Sequence, residues 1–145
     1  MPAANQVWTE ELTDTYTTER YPRGTLRLEN PAEVKAISPG AALTPPVPDH
    51  FGERIWIFVH NDEAGAFAQG DVLEMGDDAG TGTTGTVPFE AVKSNTLAQE
   101  LVRVIGVAGH AIPNDHWGWV IAKGYCEVMG DGGVAAGDYI VTKAA

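Results

Sequence analysis

From residue 52 to its end the chain is a succession of short apolar runs cut by glycine: GERIWIFVHN, FAQGDVLEM, LVRVIGVAGHAI, HWGWVIAKGYCEVM and VAAGDYIVT. Helices of globular proteins carry apolar residues on a 3.6-residue period, whereas these runs are interrupted by glycine into short apolar stretches that are β-branched and aromatic. The pattern therefore predicts a β-domain. Its first run sharpens the expectation: Ile55, Ile57 and Val59 share one face of an extended segment, Trp56 and Phe58 the other. Two apolar faces predict a strand buried on both sides.

Further strands are expected over 71–75, from about residue 101 through Ile105, over 116–120, over 122–129 and over 139–142, with a turn or one helical turn near 94–100. Gly70-Asp71 and Gly137-Asp138 each stand between an alanine-rich entry and a β-branched exit, which reads as a tight corner before a strand. Trp117 and Trp119 flank Gly118, so in a strand both rings point to one side, into a core or a subunit interface. Gly118 itself invites close approach of another backbone or subunit from the opposite side, the other reading being a bulge or an ordinary core strand with an aromatic face.

Proline and glycine divide the chain into two regimes: seven of nine prolines lie at or before Pro48, and fourteen of seventeen glycines from Gly65 onward. Residues 37–52, ISPGAALTPPVPDHFG, form a proline-dense connector of extended backbone. Upstream, 25–29 and 33–37 are two short strand candidates around Asn30-Pro31. The expected organisation is an extended N-terminal arm and connector over 1–51 and a β-rich domain over 52–145. Such an arm can pair with its own domain or with a neighbouring subunit.

A formal charge of −11 repels phosphate backbones and anionic lipid surfaces, so neither nucleic acid nor membrane is expected as a partner. Arg20, Arg23 and Arg27 are the nearest approach to a basic cluster, and a solvated face accounts for them. The first residues carry neither a basic region nor an apolar stretch of the secretory kind, and no run reaches the ~18 apolar residues of a membrane helix. Neither export by a signal nor a membrane span is expected.

Catalytic patterns are missing from the sequence. The only serines, Ser38 and Ser94, lie outside any GxSxG elbow, and AGTGTTG lacks the Gly-Lys-Ser/Thr of a phosphate loop. Cys126 reads as a small core hydrophobe. Among His50, His60, His110 and His116, the pair His110 and His116 is the best candidate for a metal, yet neither HxH nor HExxH occurs, and structural histidines are the simpler reading. Asp77 and Asp78 open a flexible loop over 76–88 without calcium-loop spacing. The expectation is no enzyme, no cofactor and no metal.

The order YPRGTLRLE, GERIWIFVHN, AFAQGDVLEM and VIGVAGHAIPNDHWGWVIAKGYCEVMGDGGVAAGDYIVT resembles the head decoration, or capsid cement, proteins of tailed bacteriophages, from about Tyr21 to the C-terminus. That resemblance implies a small barrel-like or β-tulip domain of short antiparallel strands, clustered as a homotrimer on the capsid surface of the virion. The implied partner is the major capsid protein. On this reading the arm over 7–47 and the loop over 76–88 make the contacts, and the interface residues are Trp8, Tyr16, Tyr21, Leu26, Leu28, Trp117 and Trp119. Two other readings are a tail or fibre-tip module that binds a host glycan through exposed aromatics, and a small metal-dependent β-barrel enzyme using His110 and His116.

Overall fold

A computed structural model of the chain describes residues 10–29, 54–77, 85, 87–94, 104–124, 126 and 128–129. Several expectations fall outside them: the strands over 33–37 and 139–142, the connector over 37–52, the helical turn near 94–100, the corner at Gly137, Trp8, His50 and most of the loop over 76–88.

Among the described residues seven strands make one mainly β fold: β1 (Thr15–Tyr16), β2 (Leu26–Leu28), β3 (Ile55–Asn61), β4 (Val72–Met75), β5 (Glu90–Lys93), β6 (Val104–Val107) and β7 (Trp117–Lys123). Following the pairings β3-β5-β4-β6-β7 and back to β3 closes a five-stranded barrel. The outer strands β1 and β2 attach to β7 and β3. The resemblance implied antiparallel pairs throughout, but the β3–β5 pair is parallel, with His60 opposite Glu90 and Asn61 opposite Ala91. The barrel is therefore mixed, and its parallel seam joins strands far apart in sequence.

Strand β3 alternates between two cores, as its pattern predicts. Ile57 and Val59 face inward with Phe67, Leu73, Ala91, Ile105, Ala108, Ile112 and Val120, an almost wholly aliphatic interior. Trp56 and Phe58 face outward and pack with Leu12, Trp119 and Ile121, with Tyr16, Tyr21, Trp117 and Cys126 around them. Residues 10–29 lie over this outward face, so both faces are buried in the middle of β3 and β7, over 56–59 and 118–121. Within its own chain, the described part of the arm thus pairs with the barrel.

Glycine permits the closure at two places. Gly70 has φ +92 and donates its amide to the Ala108 carbonyl, while the Asp71 carboxylate accepts from the Ala68 amide, which is the Gly-Asp corner predicted from sequence. At Gly106 a side chain would lie 2.4 Å from the Ile121 carbonyl oxygen, so only a residue without Cβ lets β6 reach β7.

Two expectations are corrected. The segments 116–120 and 122–129 do not form separate strands: β7 runs unbroken from Trp117 to Lys123. It stays on β3 along its length while its other edge passes from β1 to β6. The close approach predicted at Gly118 comes from this chain itself, since a Cβ there would meet the Ile112 side chain at 2.9 Å.

Candidate functional site

The expected interface residues divide by environment. Trp119 is fully buried, and Phe58 lies 5.1 Å from it in an edge-on contact. Tyr21 packs against both rings, at 5.4 Å from Phe58 and 5.5 Å from Trp119. Tyr16 reaches Phe58 at 6.0 Å, and Trp117 stacks on His60 at 4.2 Å. These four aromatics therefore belong to the chain's own outer core. Leu26 and Leu28 differ: on the edge strand β2 they stand 54% and 57% exposed, with Arg27 buried between them.

Burial gives the polar residues of this layer unusual settings. Desolvation, assisted by Asp14 and Glu10, pushes the Tyr16 phenol up to about 12. Burial also raises the Cys126 thiol, against a smaller opposing effect of Arg54, which makes it a poor nucleophile near neutral pH. Arg54 donates from Nε and a terminal nitrogen to the two Glu29 carboxylate oxygens, at 2.6 and 2.7 Å, and Trp56 Nε1 donates to the same carboxylate at 2.6 Å. Glu29 is fully buried, so this fork ties the end of β2 to the start of β3.

The arginines expected on a solvated face are all engaged. Arg20 pairs with Glu10, Arg23 with Glu90 and Glu19, and the buried Arg27 donates to the Glu10 carbonyl beneath the Trp119 ring. A solvated face describes Arg20 alone. Spacing in the sequence gave no hint of the carboxylates that receive them.

His110 and His116, the sequence's metal candidates, turn to backbone carbonyls: His110 to Ala111 and Trp119, His116 to Asn114. Burial lowers the His110 pKa below its ordinary value, outweighing the contrary pull of those carbonyls. The polar convergence lies instead at the barrel rim, around the parallel seam. His60 Nδ1 lies 2.5 Å from Glu90 Oε2 and its Nε2 lies 3.1 Å from Asp115 Oδ1, while Arg23 holds the other Glu90 oxygen.

The turn after β3 brings Asp62 to the same place, and the buried Asn61 fixes that turn by donating its side-chain amide to the carbonyls of Gly65, Ile112 and Pro113. A cleft of about 280 Å³ opens there, lined by His60, Asn61, Asp62, Glu63, Asn114 and Asp115. His60, Asp62 and Glu90 each offer a ligand atom, all within 4.8 Å of one another. Sequence reasoning missed this group because Glu90 comes from a segment about thirty residues beyond His60 and Asp62. The one legible signal was the run His60-Asn61-Asp62-Glu63, four polar residues ending an apolar strand. Comparison with protein families, curated proteins and solved structures finds no match for this chain.

Proposed function

We propose that this chain is a structural protein of the phage head-decoration kind, which binds the outer surface of an assembled icosahedral head and stabilises the shell. It acts on the capsid surface of the virion as a homotrimer, with the major capsid protein as partner and no catalytic reaction. The observation that carries the reading is the outward face of β2, where Leu26 and Leu28 hold an apolar pair in solvent on an edge strand. An edge with an apolar face suits docking by strand addition or side-chain burial. The strand is braced from behind by the Glu29–Arg54 fork, so the pair is presented on a rigid support.

The resemblance of the sequence to decoration proteins supplies the partner, and lattice symmetry supplies the strength: weak contacts repeated over a shell bind tightly together. The fibre-tip alternative has less support, because the large hydrophobics exposed among the described residues are Leu26, Leu28, Val104 and Met129, none of them aromatic. The barrel-enzyme alternative loses its proposed pair, His110 and His116, to backbone carbonyls.

Cosedimentation with undecorated heads tests the reading. The full-length chain should pellet with heads at saturation, and Leu26→Asp with Leu28→Asp should weaken binding at least tenfold while leaving the melting curve in place. Failure of the unaltered chain to bind heads would overturn the function; equal binding by the double variant would overturn the role of β2.

A further inference from the structure

We propose that the barrel rim holds a divalent transition-metal ion, of the zinc or manganese class, between His60 Nδ1, the Asp62 carboxylate and Glu90. These ligand atoms lie within 4.8 Å of one another, in a group where Asp62 and Glu90 are buried and His60 nearly so. A tetrahedral ion about 2.0–2.1 Å from each ligand needs its ligands roughly 3.3 Å apart, which small side-chain rotations reach from here. One imidazole nitrogen beside carboxylate oxygens favours zinc or manganese over magnesium or calcium.

The contacts of His60 suit such an ion. Both ring nitrogens face carboxylate oxygens, Nδ1 toward Glu90 and Nε2 toward Asp115. A neutral imidazole has one N–H, so if Nε2 donates to Asp115, Nδ1 directs its lone pair at a Glu90 oxygen only 2.5 Å away. Two acceptors at that distance need a cation between them, either a second ring proton or a metal ion. An ion bound to Nδ1 and Glu90 provides it, and Asp115 then becomes the outer carboxylate that orients a metal-ligating histidine. Arg23, on the other Glu90 oxygen, plays the same part for the carboxylate.

The charge count agrees. Asp62 and Glu90 are buried beside this imidazole, Arg23 pairs with Glu90, and carboxylates taken out of water are costly unless balanced by cations. Access comes from the cleft, which leaves room for water or an exchangeable ligand on the ion. Among the described residues the two non-glycine positions with positive φ both flank the site: Asp115 at 55° and Phe89 at 63°, whose carbonyl accepts from the His60 amide. Backbone held in that region marks geometry maintained against its local preference.

The ion's work is structural. His60 and Glu90 are register partners across the barrel's parallel seam, so a metal there clasps the strand pair that closes it. Full-length chain freed of metal with a chelator would be titrated with zinc chloride and, separately, manganese chloride, followed by calorimetry and thermal melting.

One ion per chain and a melting point raised by several degrees are expected for at least one metal. Both effects should vanish in Asp62→Asn and persist in the His110→Ala/His116→Ala double variant. Absence of saturable binding, binding unchanged in Asp62→Asn, or binding lost with His110 and His116 would overturn the proposal. Nitrogen NMR of the His60 ring in the unaltered chain gives a readout independent of variant folding: the Nδ1 resonance should move on metal addition. A ring protonated on both nitrogens and unmoved by either ion would show that a proton, not a metal, bridges the pair.

Discussion

The two cores of this protein are built from different side chains and for different reasons. The inner one is aliphatic apart from Phe67, because a five-stranded barrel has little interior and branched chains fill it in few rotamers. The outer one is aromatic: Trp56, Phe58 and Trp119 pack between the barrel wall and a short N-terminal segment. A segment with only two two- to three-residue strands makes few ladder bonds, so broad rings supply the contact area that its backbone does not. The difference teaches that residues 10–29 are a wall of the fold, although their composition reads as an arm.

Truncations in either core test whether the two layers unfold together. Trp119→Ala should cost about 3–5 kcal/mol, and Leu73→Ala in the interior about 2–5 kcal/mol. Both should lower the midpoint of a single denaturant transition without splitting it. Separate transitions by tryptophan fluorescence and far-ultraviolet dichroism would show that the layers are independent. Removing one partner of the buried fork, Glu29→Ala, should cost about 3–5 kcal/mol by leaving Arg54 buried and unpaired; Glu29→Leu with Arg54→Met should recover much of it.

Acid should act at the join of the layers. His110 takes up its proton less readily in the folded chain than in the unfolded one, whose value is near 6.5. Stability is then fully present above pH 6.5 and declines as pH falls below it, because the unfolded state binds the proton first. Denaturant midpoints measured from pH 7.5 to 5 should fall, and His110→Gln should flatten that slope. At the small end, Cys126 should react with a disulfide reagent at pH 8 more slowly than a free thiol, and faster only as the chain unfolds. Leu26→Ser should change stability by no more than about 0.5 kcal/mol, since its side chain touches solvent.

Much of the fold was legible where one segment carried its own pattern. The two-faced alternation of Ile55 to Val59 gave β3, and the glycine and aspartate at 70 and 71 gave the corner before β4. Strand β5 was not visible, because EAVK has two apolar residues between two charges, and Glu90 is buried only by the arrival of Arg23 and His60. The parallel seam escaped for the same reason: local turns imply hairpins, whereas β3 meets β5 past β4. The rim cluster was the least legible of all. Glu90 reaches His60 and Asp62 only through the closure of the barrel, which no spacing along the chain encodes.

Amide hydrogen exchange on the full-length protein tests most directly whether the N-terminal segment is part of the folded body. The Gly24 amide donates to Phe58, the Phe58 amide to Thr25 and the Glu29 amide to Arg54, so three bonds report the attachment of β2 and its approach. If the outer core is integral, Gly24 and Glu29 exchange as slowly as amides of β3 and β7, through global unfolding. Fast exchange at Gly24 and Glu29 beside protected barrel strands would contradict it, and would return residues 10–29 to the status of a detachable arm.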